Sequence, residues 1–130
     1  MDALRELLAE DARVAYALLF GSRARGTAHA GSDLDVAIGL EPNTRLSALE
    51  LGELIARLEQ ASGCSVDIVL IDEAPSPVAY RIFRDGQLIV SKNHSVLVEN
   101  KTRAIIEYLD FRPTERLAAR GVLTAAANGR

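Results

Sequence analysis

Between Leu19 and Leu40 the chain reads LFGSRARGTAHAGSDLDVAIGL. Two carboxylates, Asp33 and Asp35, stand one residue apart where an alternating apolar segment begins. Residues two apart on a strand project from the same face. Side by side, such acids repel unless a cation sits between them or one takes up a proton. A hard divalent ion such as Mg²⁺ is held by a few carboxylates together with substrate phosphates. Asp67, in SVDIVLI, offers a third acid from a second apolar segment. Three acids converging on one sheet face suit two metal ions about 3.5–4 Å apart, the spacing used for in-line attack at phosphorus.

Gly21-Ser22 precedes the pair by ten residues and follows an apolar run. Free backbone N–H groups at such a turn bind phosphate oxygens, and a glycine lets the backbone come close to them. The Ser22 hydroxyl adds a donor, and Arg23 and Arg25 add positive charge beside developing negative charge. One end of the stretch thus suits a polyphosphate, and the other suits the metal ions that would activate it. Each part alone has a plainer reading. A D-x-D at a strand start also serves as a cap or a solvated edge, Asp67 also suits the surface of an edge strand, and Arg23 and Arg25 also suit solvent. The ordered combination on consecutive strands is the specific signal. His29 could reach a phosphate or metal but, like His94, is expected at the surface, and Tyr16, Tyr80 and Tyr108 could stack on adenine but are expected to pack.

The elements that must position these groups follow from periodicity. Leu4, Leu7, Leu8 and Ala12 have helical spacing over Asp2 to about Arg13, with Asp2 as a cap. VAYALLF, Val14 to Phe20, predicts a buried strand, and a short helical turn is expected from Arg23 to about Thr27. Leu34, Val36, Ile38 and Leu40 alternate as a second strand, and Pro42-Asn43 marks a turn. Leu46, Leu49, Leu54, Ile55 and Leu58 predict an amphipathic helix ending at Gly63. A third strand, Val66 to Ile71, reads as a buried segment with Asp67 its odd member. Pro75 and Pro77 introduce a helix through Val78, Ile82 and Phe83 that closes at Asp85-Gly86, followed by a short strand, Leu88 to Val90. Asn93 caps a long C-terminal helical region, with Pro113 expected to split it near Phe111.

This alternation predicts an α/β (α+β) fold with helices packed on a sheet of about four strands. Only about a dozen residues join the first two strands, too few for a comfortable helical crossover, so that pair is expected antiparallel and the sheet mixed. The 130 residues suit a single domain over 1–130, with a core about 14–92 and a helical region about 93–125. No apolar run approaches a bilayer span and no signal-peptide pattern opens the chain, so a cytoplasmic protein is expected. Cys64 stands alone, which excludes an intrachain disulfide, and is expected as a buried structural thiol. The formal net charge of −3 argues against general nucleic-acid binding. The charge is uneven: residues 1–79 carry 6 Lys/Arg against 13 Asp/Glu, and residues 80–130 carry 9 against 5. The basic third could meet an acidic partner or RNA, or could simply be solvated helix faces.

Gly21-Ser22, ten residues, then Asp33-x-Asp35 resembles the motif of the DNA polymerase β-like nucleotidyltransferase superfamily, with Asp67 matching its third acid. The short chain, GSRARG and the tail RAIIEYLDFRP look like the minimal nucleotidyltransferases, MntA type, which are antitoxins paired with HEPN-domain ribonuclease toxins. The resemblance implies the polymerase β-like fold, with Asp33, Asp35 and Asp67 as ligands of two Mg²⁺ ions. It implies that Asp67 helps deprotonate the acceptor, and that Gly21 and Ser22, assisted by Arg23 or Arg25, hold the β- and γ-phosphates of ATP. The implied activity is transfer of AMP to a tyrosine of the toxin with release of pyrophosphate. Two alternatives are a non-catalytic antitoxin that acts by binding, and a nucleotidyltransferase with a small-molecule or RNA acceptor.

Overall fold

A computed structural model describes residues 2–21 and 33–120, with side chains as far as residue 110. Helix α1 (Asp2–Glu10) leads into strand β1 (Val14–Phe20). Strand β2 (Leu34–Leu40), helix α2 (Ala48–Ser62) and strand β3 (Val66–Leu70) follow. A single 3₁₀ turn (Ile71–Glu73) then precedes helix α3 (Ser76–Asp85), strand β4 (Gln87–Ser91) and helix α4 (His94–Arg120). The expected turn at Arg23 to Thr27 lies outside the described residues.

The four strands form one mixed sheet in the order β3-β2-β1-β4. β1 runs antiparallel to both β2 and β4, and β2 runs parallel to β3. The short link between β1 and β2 gave the first pairing, and α2 supplies the crossover that a parallel pair needs. VAYALLF occupies one of the two interior positions, which is why both of its faces are apolar.

Side chains divide between two cores. Leu4 and Leu8 of α1 and Leu54 and Leu58 of α2 cover one sheet face over Val36, Ile38 and Val66. Ala79, Ile82 and Phe83 of α3, with Val96, Leu97 and Ala104 of α4, cover the other over Tyr16, Leu18 and Ala37. Alternation therefore assigns Asp35 and Asp67, two residues from Ala37 and Val69, to the face that α3 and α4 share.

Local signals hold most of the helices in place. Ser47 accepts from the Glu50 N–H at 3.1 Å while the Glu50 carboxylate accepts from the Ser47 N–H at 2.8 Å, a reciprocal capping box. Gly63 closes α2, and its N–H donates to the Glu59 carbonyl. Asn93 caps α4 through its side-chain oxygen, which accepts from the Val96 N–H at 3.3 Å. Lys92 ties α1 to the sheet by donating to the carbonyls of Ala9 at 2.9 Å and Asp11 at 2.7 Å.

Several expectations need correction. α4 runs unbroken past Pro113 to Arg120. Proline removes one i→i−4 hydrogen bond, a loss the flanking turns of a 27-residue helix tolerate. α1 stops at Glu10, and Asp2 is its first residue instead of its cap. Leu49 lies off the buried stripe of α2 at 74% exposure. β3 is an edge strand and not a fully buried one, so Asp67 is exposed and Ile68 and Val69 are half-buried. Cys64, at the entrance to that edge, is half-buried as well.

Candidate functional site

The C-terminal end of β1 and the N-terminal ends of β2 and β3 meet at one edge of the sheet. Phe20, the last residue of β1, is paired with Asp35, and Asp35 is in parallel register with Asp67. Neighbouring strands lie about 4.8 Å apart. The two acids therefore stand side by side on one face, Asp35 half-buried and Asp67 exposed. Asp33 precedes the first residue of β2 and is exposed, so it belongs to the approach to the strand and not to the ladder.

Gly21 turns the chain immediately after β1 with φ +78°, a left-handed conformation that side chains rarely adopt. The turn is seated on the neighbouring carboxylate. A Cβ placed at Gly21 would collide with the Asp35 carboxylate oxygen and lie 3.2 Å from its Cγ. Glycine is thus required twice here, by the turn and by the contact. The turn that faces phosphate in the sequence reading and the acid that faces metal are brought against each other.

Among the described residues, no three His, Cys, Asp or Glu side chains are gathered as a ready-made metal centre. The donor set nevertheless fits Mg²⁺. Two carboxylates held in register repel in the absence of a cation and supply hard oxygen ligands in its presence. Of the residues singled out from sequence, the structure places Gly21, Asp35 and Asp67 together and Asp33 next to them. Ser22, Arg23, Arg25 and His29 lie outside the described residues.

The polymerase beta nucleotidyltransferase family model matches residues 2–95, which takes in all four strands and the first three helices. The chain belongs to this nucleotidyltransferase family. Among similar proteins, a Methanocaldococcus jannaschii protein named "Putative protein adenylyltransferase MJ1379" is 29% identical over 86 residues, covering 66% of this chain and 86% of that protein. Among solved structures, a toxin-antitoxin crystal structure with AMP-PNP superposes with a TM-score of 0.77 at 21% identity, covering 95% of this chain and 99% of the matched one. A complex of tri-AMPylated Shewanella oneidensis HEPN toxin with MNT antitoxin gives 0.67 at 16% identity, covering 92% and 98%. At these identities the structural likeness speaks to the fold, and it includes the C-terminal helix.

Behind the candidate site, the α3–α4 layer is braced by a polar chain. Tyr16 is fully buried, and its hydroxyl accepts from the Asn100 amide at 2.9 Å. The Asn100 oxygen accepts from Arg103 at 2.7 Å, and Arg103 lies 3.9 Å from Asp72. Burial pushes the Tyr16 phenol up to about 12, against a lowering by the Asn100 hydrogen bond. The chain fixes α4 over β1, and β1 leads directly into Gly21. Tyr80 and Tyr108 stack with ring centroids 4.1 Å apart, which joins α3 to α4.

Sequence reasoning missed the part of α3 that borders the site. Val78, Arg81, Ile82 and Asp85 recur at helical spacing and line a cavity of about 320 Å³ with Phe20 and Gly21. The periodicity was legible, but the facing of that stripe toward Gly21 is a tertiary fact. Two other recesses, of about 420 and 380 Å³, border Leu40 and Leu70 or Asp72 and Asn100, toward the opposite ends of β2 and β3. No helix among the described residues is long and apolar enough to cross a membrane.

Proposed function

We propose that this chain is a Mg²⁺-dependent protein adenylyltransferase that acts as an antitoxin in the cytoplasm, moving AMP from ATP to a tyrosine of a HEPN-type toxin. The observation that carries the reading is the register of Asp35 with Asp67 beside a Gly21 turn seated on Asp35. Family membership supports nucleotidyl transfer, and the names of the relatives support a protein acceptor and a toxin partner.

In this reading Asp33, Asp35 and Asp67 hold Mg²⁺, which neutralises charge on the phosphates when bound. The Gly21-Ser22 turn orients the β- and γ-phosphates through backbone N–H groups, with Arg23 or Arg25 beside them. The exposed Asp67, on the edge strand, accepts the proton of the incoming tyrosine hydroxyl. The phenolic oxygen bonds to the α-phosphorus as the bond to the bridging oxygen of the β-phosphate breaks. Pyrophosphate leaves with the electron pair. Most of the barrier is lowered by placing the reactants in line.

The test is the intact mass of the partner toxin after incubation with the chain, ATP and Mg²⁺. Gain of one or more AMP units, abolished in a folded Asp35→Asn protein, is the expected result. Wild-type transfer by Asp35→Asn would sink the site assignment. A second reading, neutralisation by binding, is favoured by one observation: Val98, Ile106 and Leu109 on α4 are about half exposed. Retained toxin neutralisation by Asp35→Asn at equal stoichiometry would select it.

A further inference from the structure

We infer that the open edge of β3 pairs, strand to strand, with an extended segment of the protein acceptor and so delivers its tyrosine to Asp67, an inference that rests on the adenylyltransferase reading above. The sheet has two edge strands, β3 and β4. An edge presents unpaired N–H and carbonyl groups, and proteins blunt it with bulges, charged side chains or proline. β4 is blunted twice. Its register with β1 shifts, and the Arg5 guanidinium donates to the Ile89 carbonyl at 3.0 Å. β3, Val66–Leu70, keeps an unbroken register with β2 and holds neither proline nor lysine. Its ladder identifies the open groups. The Leu34 N–H donates to the Ser65 carbonyl at 2.8 Å, and alternate residues of a strand bond to the same neighbour. Ser65, Asp67 and Val69 therefore turn their backbone groups to β2, and Val66 and Ile68 turn theirs outward. The Glu59 carboxylate accepts from the Val66 N–H at 3.0 Å. Ile68 keeps both its N–H and its carbonyl without a partner among the described residues.

This edge is continuous with the candidate site. A strand added to it runs about 4.8 Å from β3, and its residue opposite Asp67 shares the face of Asp67. A tyrosine there stands beside Asp67 as Asp67 stands beside Asp35. Because β2 separates β3 from β1, the acceptor arrives on the side away from the Gly21 turn. In-line displacement needs that arrangement, with the attacking oxygen and the departing pyrophosphate on opposite sides of the α-phosphorus. Charge selects the occupant. Between Leu58 and Arg81 the chain holds Glu59, Asp67, Asp72 and Glu73 and no lysine or arginine. Asp67, Asp72 and Glu73 are exposed, and Arg103, 3.9 Å from Asp72, balances only that acid. The edge therefore fits an extended segment that carries lysine or arginine beside its tyrosine. Two β3 edges paired with each other would crowd these acids together, which disfavours a second copy of this chain. In such pairing the main-chain hydrogen bonds supply affinity and alternate side chains supply specificity.

Two variants at one position test this. Ile68→Pro removes the outward N–H and spares the ladder to β2, which Asp67 and Val69 make. Ile68→Ala loses the same apolar packing and keeps the N–H. AMP transfer to the partner toxin is followed at saturating ATP and Mg²⁺, and the ATP Kd is measured by calorimetry. The expected result is a rise in the toxin KM of at least tenfold for Ile68→Pro and less than about threefold for Ile68→Ala, with the ATP Kd unchanged in both. An unchanged KM in Ile68→Pro, or an equal rise in the two variants, overturns the inference. So does weaker ATP binding in Ile68→Pro alone, because the damage is then to the nucleotide site. Amide hydrogen exchange on the wild-type protein, free and with the toxin and the α,β-methylene analogue of ATP, needs no variant to fold. The Ile68 amide is expected to exchange at least tenfold more slowly in the complex, and an unprotected Ile68 amide overturns the inference. Wild-type protein that forms the complex but transfers no AMP overturns the adenylyltransferase reading beneath it, and so the two failures are distinguishable.

Discussion

Replacing Gly21 by alanine separates two demands that the structure places on one atom. The first is conformational. At φ +78° a Cβ costs about 1–2 kcal/mol. For a chain of this size that lowers Tm by roughly 3–12 °C. The second is steric, because the new Cβ collides with the Asp35 carboxylate. Either the turn opens or the carboxylate swings away, and a displacement of about 1 Å at reacting groups costs on the order of 10²-fold in rate. Gly63 provides the control. It has φ +75°, and a Cβ there meets nothing within 4 Å. Gly63→Ala therefore carries the conformational cost without the collision. The two variants are expected to melt at similarly lowered temperatures by circular dichroism. Single-turnover AMP transfer, measured well below both melting points, is expected to fall about a hundredfold or more in Gly21→Ala and to stay within about twofold in Gly63→Ala. Equal transfer rates in the two proteins would refute the contact between the turn and Asp35 as a functional requirement.

Asp67→Asn keeps the size of an exposed side chain on an edge strand, so Tm is expected to move by less than about 2 °C while transfer falls at least about a hundredfold; near-normal transfer would exclude Asp67 from proton removal. Tyr16→Phe leaves the buried Asn100 amide without its acceptor and is expected to cost about 1–3 kcal/mol in urea unfolding at pH 7. Because the folded-state phenol is raised to about 12, its contribution is complete below pH 10 and is lost as pH rises from 10 to 12, by about 2–3 kcal/mol. The same alkaline decline in Tyr16→Phe would show that another group causes it. Asp11 is held below the usual carboxylate range chiefly by its hydrogen bond with Arg13, so its contribution is present above that range and lost as pH falls. Asp11→Asn should flatten the acid limb of the stability curve, and an unaltered limb would count against the pair. Ser47→Ala removes one half of the capping box and is expected to cost about 1 kcal/mol, read as a shift in the urea midpoint at constant m.

The residues near one another in sequence carried most of what could be read. Period-two alternation gave β2, the continuous apolar run gave β1 and the brevity of the link gave their antiparallel pairing. Gly63 and Asn93 marked helix ends because capping is settled within a few residues of backbone. Gly21, Asp33, Asp35 and Asp67 stood out because their types and spacing are costly unless something binds there. Readings failed where a neighbour distant in sequence decides. Leu49 has an apolar type but no partner across from it, and β3 became an edge because no strand follows it in the sheet. Pro113 stays helical because a long helix tolerates one lost hydrogen bond.

The sequence by itself determined which groups are present for chemistry and the order in which the chain delivers them. Tertiary structure decided that Asp67 stands in register with Asp35, that the Gly21 turn rests on the Asp35 carboxylate, and that α3 walls a cavity beside them. None of these is a local property. Register is set by packing both sheet faces at once. A contact between a turn after β1 and an acid on β2 exists only once the strands pair. The direction a helix face looks depends on the whole layer beneath it, here on Tyr16, Asn100 and Arg103 bracing α4 over β1.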